Sequence, residues 1–139
     1  MGDEAFDIDI QNLKIASFNV RGMRTNLKQD ALIESLSNLK LNIIALQETH
    51  LLKKDIDILK NKWQGPIFHS EGTTRSKGLC FLFDKYFKNI NIDVIAKNER
   101  LLLCSCDIGN KILYLCNVYA PNNINDKLNF FNDVNNFYK

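Results

Sequence analysis

The stretch KIASFNVRG, residues 14–22, shows a pattern that recurs later in the chain: an apolar run that ends in a polar residue. Its apolar residues run almost without a break, as in a strand that is covered on both faces, and a first strand is predicted over Leu13–Val20. Asn19 stands at the end of this strand, just before Arg21-Gly22. Taken alone, an asparagine at a strand end is more often a turn residue than a ligand. Its role therefore depends on what the neighbouring strands place beside it.

A second buried strand, LNIIAL at Leu41–Leu46, follows a helix that is predicted to start at Asn26. The helix carries leucines on one side at i, i+4 and i+7, and the pair Asn26 and Gln29 resembles a capping box. Two strands joined by a helix are expected to lie parallel, with a right-handed crossover. Because Glu48 follows the second strand, it should lie near Asn19 at the same edge of the sheet.

The later part of the chain predicts a different pattern, with antiparallel pairing. Gly109-Asn110 is a two-residue hairpin signal between two apolar runs. A polar loop is predicted at 70–78, strands at 78–83, 90–96, 101–108 and 111–119, and helices around 55–63 and 126–138. The predicted fold class is α/β (α+β): one mixed β-sheet of about six strands with flanking helices.

The composition is that of an ordinary globular chain. Of its 139 residues, 45% are hydrophobic and 24% are charged, and the net charge of +2 neither demands nor excludes nucleic acid. No secretory signal is visible, nor an apolar stretch near the ~20 residues of a membrane span. The cysteines lie in apolar runs without a C-x-x-C pair, which favours buried free thiols over a zinc site. We therefore expect a nuclear or cytoplasmic protein that is not secreted and does not bind a membrane.

Three predicted strands end in a polar side chain: Asn19, Glu48 and Tyr119. Each has an ordinary structural explanation, as a turn residue, a solvated strand end and an aromatic at the rim of the sheet. Together, an amide, a carboxylate and a phenol with cations nearby favour a phosphate or metal–phosphate site. One carboxylate among oxygen ligands suits Mg²⁺, which commonly completes its shell with water and substrate phosphate.

The order SFNVRG, LQETH, RSKGLCFLF and NVYAPN resembles the endonuclease/exonuclease/phosphatase superfamily, which includes DNase I-like and exonuclease III-like (AP endonuclease) nucleases. These motifs are most similar to those of the endonuclease domain at the N-terminus of non-LTR (LINE-type) retrotransposon polyproteins. The resemblance covers roughly Leu13 to the C-terminus. The resemblance implies a four-layer αββα sandwich. It also implies a hydrolase that cleaves DNA phosphodiesters with Mg²⁺ or Mn²⁺.

The resemblance also implies roles for individual residues. Asn19 would help to organise the metal site, Glu48 would ligate the metal, and Tyr119 would contact the reacting phosphate. Asn122 would lie next to a DNA-binding turn, and Arg21 stands where abasic-site enzymes often have an aspartate. The candidate nucleic-acid contacts are Arg21, Arg24 and Asn122.

Two later motifs of the superfamily, G-D-F-N and S-D-H, do not occur before Lys139. We therefore expect residues 1–12 to be a loose lead-in and residues 13–139 to be the N-terminal portion of the domain, resembling one half of the sandwich. Without the base that S-D-H would supply, the chain alone is expected to be inactive. The inner sheet face is expected to require the second half of the sandwich, or a partner, to cover it.

Two further functions remain open from the sequence. The chain could be a catalytically dead, truncated remnant or interaction module of the same fold. It could also be a phosphatase or phosphodiesterase of the superfamily with another substrate, because a fold does not determine a substrate. The retrotransposon-like motifs favour DNA as the substrate.

Overall fold

The computed structural model describes residues 8–120 and 123–137, and the structural statements below concern these residues. They form seven strands in two sheets, together with three α-helices. The strands are β1 Ile15–Asn19, β2 Ile43–Gln47, β3 Ile67–Gly72, β4 Lys77–Phe83, β5 Asn91–Asn98, β6 Leu101–Ile108 and β7 Lys111–Val118; the helices are α1 Asn26–Asn38, α2 Lys53–Lys60 and α3 Ile124–Phe137. Sheet A has the order β1-β2-β4-β3, and sheet B has the order β5-β6-β7.

The strand pairing confirms the α/β class and the two local predictions. β1 and β2 are parallel neighbours joined through α1, and β6 and β7 form an antiparallel hairpin around Gly109. The prediction of a single mixed sheet of about six strands is wrong, since the strands divide into two sheets. The division arises because β5, β6 and β7 pair with one another through short hairpins and lay a common face against sheet A. β3, at Ile67–Gly72, was not predicted and overlaps the expected loop.

An apolar core fills the space between the two sheets. Phe83 is fully buried, and the centroid of its ring lies 5.2 Å from that of Phe87 and 5.8 Å from that of Phe68. The buried side chains of this core are Ile43, Ala45, Leu79, Phe81, Phe83, Phe87, Leu102, Cys104, Cys106, Ile108 and Leu115. The expectation that the inner sheet face would be uncovered is therefore wrong, because the two sheets of the chain cover each other.

A second core lies on the outer face of sheet A, under α1 and α2. Ile44 and Leu46 of β2 point to this side because side chains alternate along a strand. Leu36 of α1 and Leu59 of α2 pack against them. The inner strands β2 and β4 are thus covered on both faces, which explains their continuous apolar runs. The same prediction for β1 is wrong, because β1 lies at the edge of the sheet and is largely exposed.

The first turn of α1 differs from its prediction. The N-cap is Thr25, whose hydroxyl accepts a hydrogen bond from the backbone N–H of Lys28. Gln29, expected to complete a capping box with Asn26, is buried instead, and its amide donates to the carbonyl of Arg24. The capping function is preserved one residue earlier, because a threonine hydroxyl can also accept the hydrogen bond of a free backbone N–H.

The chain ends and the cysteines complete the fold. Ile8 and Ile10 pack against the inter-sheet core, so the described part of the expected lead-in is attached to the domain. α3 begins at Ile124, and its predicted last residue, Tyr138, lies outside the described residues.

The four cysteines are free, and three are buried, as the sequence predicted. None of the helices in the described residues has the length and apolar character needed to cross a membrane.

Candidate metal and phosphate site

The ends of β2 and β7 bring Glu48 and Tyr119 together across the two sheets. Glu48 directly follows β2, and Tyr119 directly follows β7. The Tyr119 hydroxyl donates a hydrogen bond of 2.8 Å to Oε1 of Glu48, although the two residues are 71 positions apart in the chain. Both side chains are half-buried. The sequence placed these residues in one site, and the structure confirms that they are neighbours; their roles stay predictions.

A third group at this contact, Arg100, was not predicted from the sequence. Its guanidinium carbon lies 5.5 Å from the centre of the Tyr119 ring, within the range of a cation–π interaction. The hairpin register could have revealed it. Counting outward from Gly109-Asn110 pairs Leu101 with Val118, and the next pair is Arg100 with Tyr119. The backbone N–H of Tyr119 indeed donates to the carbonyl of Arg100.

The contact changes the acidity of the phenol. The hydrogen bond to Glu48 raises the pKa of Tyr119 above its ordinary value, and burial and the negative charge of Glu48 add to the effect. The positive charge of Arg100 acts in the opposite direction. Because the raising effects are larger, the phenol stays protonated at neutral pH and remains a hydrogen-bond donor.

Asn19 has the turn role that is usual for an asparagine at a strand end. Its side-chain oxygen accepts a hydrogen bond of 3.1 Å from the backbone N–H of Arg21, two residues later. In the parallel pairing, Asn19 lies opposite Gln47, the residue before Glu48. The structure therefore places Asn19 beside the Glu48 strand end, with its amide oxygen used in the turn.

The three candidate nucleic-acid contacts differ in what surrounds them. Arg21 is exposed next to Asn19. Arg24 pairs with Asp55, with 3.3 Å between Nε and the carboxylate oxygen, and that oxygen also accepts from a backbone N–H at the start of α2. Arg24 thus helps to attach the β1–α1 loop to α2. Asn122 lies outside the described residues.

The backbone around the site is unusually rich in left-handed conformations. The residues with positive φ in the three loops at this edge are Arg21, Gly22, Glu48, His50, Lys77 and Gly78. Four of them are not glycine, and each such residue costs roughly 1–3 kcal/mol, which the surrounding contacts must offset. Strain of this kind tends to cluster at functional sites.

Backbone hydrogen bonds join these three loops into one unit. The N–H of Gly22 donates to the carbonyl of Glu48, and the N–H of His50 donates to the carbonyl of Lys77. Little space is left between the loops: a Cβ added to Gly22 would lie 2.7 Å from Nδ1 of His50. The loops therefore hold Glu48 in its left-handed conformation.

The donor set fits an open magnesium site rather than a closed metal centre. Among the described residues, no group of three or more His, Cys, Asp or Glu side chains lies close enough to hold a metal ion. Mg²⁺ is commonly bound by one or two carboxylates together with water and substrate phosphate. Glu48 can supply one such carboxylate, and its Oε1 is already used by Tyr119.

Comparison with solved structures identifies the fold. No family model matches the chain. The structure of D. rerio TDP2 complexed with a single-strand DNA product matches with a TM-score of 0.61 at 19% identity, over 88% of this chain and 52% of that one. The endonuclease domain of TRAS1, a telomere-specific non-LTR retrotransposon, matches with a TM-score of 0.62 at 14% identity, over 91% of this chain and 54% of that one. An AP endonuclease from Archaeoglobus fulgidus matches with a TM-score of 0.55 at 21% identity, over 78% and 41%.

The chain thus spans about half the length of the solved structures that it matches. At these identities the match establishes the arrangement of strands and helices. The fold implied by the motifs SFNVRG, LQETH and NVYAPN is therefore confirmed: this chain shares its fold with TDP2, the TRAS1 endonuclease domain and the AP endonuclease over about half of their length.

Proposed function

We propose that this chain supplies the metal- and phosphate-binding part of a DNA endonuclease, a metal-dependent phosphodiester hydrolase of retrotransposon or AP-endonuclease type. The observation that carries the proposal is the contact of Glu48 with Tyr119 across the two sheets, beside Arg100. A carboxylate, a protonated phenol and a guanidinium at one edge suit a cation and a phosphate together. The similarity of fold to a retrotransposon endonuclease domain supports DNA as the substrate.

In this proposal each residue has a separate task. Glu48 would hold Mg²⁺ or Mn²⁺, which when bound would polarise a phosphate oxygen as a Lewis acid. Tyr119 would turn its one hydroxyl hydrogen from Glu48 to the phosphate once the cation takes up the carboxylate, and Arg100 would stabilise the negative charge of the phosphate. Asn19 would keep the loop beside Glu48 in place. Candidate contacts to the DNA backbone are Arg21, Arg24 and Asn122.

We also propose that this half-domain is catalytically incomplete. Residues 13–139 would be the N-terminal portion of the domain, and the base that activates water would come from elsewhere. Loss of a general base typically costs about 10²–10⁴-fold in rate, so the chain alone would have little or no nuclease activity. The free thiols fit a reducing compartment, and we propose a nuclear or cytoplasmic location.

The second half of the sandwich, or a partner in its place, would bind at the sheet edges rather than on the inner face. β1 and β7 stand at the edges of their sheets in the part of the chain that the structure describes. Apolar side chains on them are exposed: Ile15 by 50% and Phe18 by 38% in β1, and Ile112 by 55% and Tyr114 by 59% in β7. Exposed edges with apolar side chains favour pairing with a further strand.

A second candidate function is an inactive interaction module of the same fold. It is supported by the single carboxylate of the site, whose Oε1 already accepts the hydrogen bond from Tyr119. Binding of Mn²⁺ separates the two candidates. Electron paramagnetic resonance would measure the affinity for Mn²⁺ of the 139-residue chain and of Glu48→Gln. The control is Glu34→Gln, which makes the same change of charge at an exposed position of α1.

If the proposal is correct, Glu48→Gln weakens Mn²⁺ binding at least tenfold, because it removes the carboxylate charge, and Glu34→Gln does not. Equal affinity in all three proteins would favour the inactive module.

Nicking of supercoiled plasmid in the presence of Mg²⁺ tests the activity itself. We expect no detectable nicking by the 139-residue chain and clear nicking by the full-length reading frame that contains it. In that longer protein, Glu48→Gln should reduce nicking at least 100-fold and Tyr119→Phe by about 10–100-fold. Full activity of Glu48→Gln would remove this residue from the metal site, and nicking by the short chain would show that it is complete.

A further inference from the structure

We propose that Asn117 is a positioning residue of this site: its buried amide fastens β7 to sheet A and thereby sets the contact between Tyr119 and Glu48. The inference rests on the proposed function only in treating these two groups as the working groups of the site. Its evidence is a hydrogen-bond network that joins the two sheets.

The amide of Asn117 is built into the junction of the sheets. The side chain belongs to β7 and is only 2% exposed. Its Nδ2 donates to the carbonyl of Leu46 at 3.0 Å and to the carbonyl of Cys80 at 2.9 Å. Leu46 and Cys80 lie opposite each other on β2 and β4, so one side chain holds both strands.

The network continues to the edge of sheet A. The side-chain oxygen of Asn117 accepts a hydrogen bond of 2.9 Å from Nε2 of Gln47. The same nitrogen donates to Oγ of Ser17 in β1 at 2.8 Å. The amide of Asn117 therefore connects β7, directly or through Gln47, with three strands of sheet A.

The network lies where it can fix the alignment of β7 along sheet A, close to the site. Residues two apart on a strand share a face, so the anchor Asn117 and the working residue Tyr119 point in the same direction. The carbonyl that Asn117 holds on β2 belongs to Leu46, two residues before Glu48. The groups that this anchor joins, Asn117 and Leu46, thus lie two residues before Tyr119 and Glu48 respectively, and movement of β7 along sheet A would separate Tyr119 from Glu48.

Energetics support a specific role for the amide. A buried amide is costly unless its donors and acceptor are used, and a leucine of similar size would pack in an apolar core without that requirement. Asn117 uses both hydrogens and its oxygen. A fully satisfied buried network gives directional contacts that apolar packing does not, and these fix one alignment of the sheets.

A matched control exists in the same molecule. Ser70 of β3 also joins the two sheets: its hydroxyl donates to the carbonyl of Asn98 in β5 at 2.6 Å, and it is 7% exposed. Neither strand leads into Glu48 or Tyr119. Ser70→Ala therefore removes a cross-sheet hydrogen bond without touching the proposed alignment.

The experiment compares Asn117→Leu, Asn117→Asp and Ser70→Ala with the native chain. In protein labelled with ¹³C-tyrosine, nuclear Overhauser effects between the Tyr119 ring and the Glu48 side chain report the contact without any metal. Added Mn²⁺ broadens the Tyr119 signal more strongly the closer the ion binds to the ring. The exposed rings of Tyr86 and Tyr114 serve as internal references. Gln47→Met, at a half-exposed position, breaks the outer link even if both Asn117 variants fail to fold.

We expect the Tyr119–Glu48 effect to fall at least threefold in the Asn117 variants and in Gln47→Met, and to persist in Ser70→Ala. An unchanged effect in the folded Asn117 variants overturns the inference, as does an unchanged effect in Gln47→Met when those variants do not fold. If the contact is lost but Mn²⁺ never broadens Tyr119 even in the native chain, the positioning role stands and the metal proposal fails. If Mn²⁺ broadens Tyr119 equally in the native chain and every folded variant, the metal proposal stands and the positioning role fails.

Discussion

The two ends of the sandwich are built on different principles. The site end, where β2 and β7 finish, has six left-handed residues among those that the structure describes, and a hydrogen-bonded contact between Glu48 and Tyr119. The far end, where β4 finishes, is closed by the rings of Phe83 and Phe87, 5.2 Å apart. In the part of the chain that the structure describes, the left-handed residues of this end lie in two turns, at Lys40 and Gly109. One end gains stability from burial, whereas the other holds a costly geometry.

Most of the stability and the candidate site therefore lie at opposite ends of the sandwich. Packed aromatic rings in a core contribute several kcal/mol each. Left-handed residues other than glycine reduce stability unless the structure holds them in place. We infer that the far end stabilises the sheets against which the strained site end is held.

Phe83→Ala should cause the largest loss of stability. The side chain is fully buried at the far end, and its truncation leaves a cavity among three other rings. We expect the free energy of unfolding, measured with urea, to fall by about 3–5 kcal/mol. The folded fraction should bind Mn²⁺ with unchanged affinity.

The control for this variant is Val94→Ala, at a position that is 39% exposed, where a loss below about 1 kcal/mol is expected. If Phe83→Ala loses no more stability than the control, the far end does not stabilise the sheets as we infer. Weaker Mn²⁺ binding by folded Phe83→Ala would mean that the two ends are coupled.

Gly78→Ala tests the site end, and Gly109→Ala is its matched control at the far end. Both glycines have positive φ, at 97° and 61°. A Cβ on Gly78 would lie 2.3 Å from Oγ1 of the buried Thr49, whereas a Cβ on Gly109 meets nothing within 4 Å. We expect a loss of about 2–4 kcal/mol for Gly78→Ala, and about 1 kcal/mol for Gly109→Ala.

Mn²⁺ affinity should fall in Gly78→Ala and stay unchanged in Gly109→Ala, because only the first displaces the loop that holds Glu48. Equal losses of stability at the two glycines would contradict the idea that the site end is the more tightly constrained.

His69 gives the smallest expected effect and belongs to neither end. Burial lowers its pKa below the ordinary 6.5, and the positive charge of Lys97 lowers it further. Between the lowered pKa and 6.5 the unfolded chain binds more protons, so stability falls as the pH drops below about 6.5. Native chain and His69→Gln compared by urea unfolding at pH 7.5 and 5.5 should differ in pH dependence, with the native chain losing more stability at pH 5.5. An identical pH dependence in the two proteins would remove His69 as its source.

Local signals explain what could be predicted of the fold. The β1–α1–β2 unit and the β6–β7 hairpin are encoded by residues close in sequence, and both are present. β3 was missed because IFHSEG lacks an alternating pattern and ends in glycine. The division into two sheets was missed because an apolar run shows that a strand is buried, but not which strand lies opposite.

The site was predictable where a polar residue interrupts an apolar pattern. Glu48 and Tyr119 follow strands, and the structure makes them neighbours. Arg100 could have been found by counting along the hairpin. Asn117 could not, because the two carbonyls that it holds belong to residues 71 and 37 positions away, and nothing in the sequence marks a backbone carbonyl as a partner.

The span between Glu48 and Tyr119 also orders the events of folding. Contacts between residues far apart in a chain form late, because loop closure must precede the gain from the contact. The parallel β1–β2 pair and α1 can form from the first 47 residues, but Glu48 gains its phenol partner only once β7 has docked. During synthesis, the carboxylate therefore remains solvated until Tyr119 has emerged from the ribosome, and a chain released before that point contains the strained loop residues without the group that completes their site.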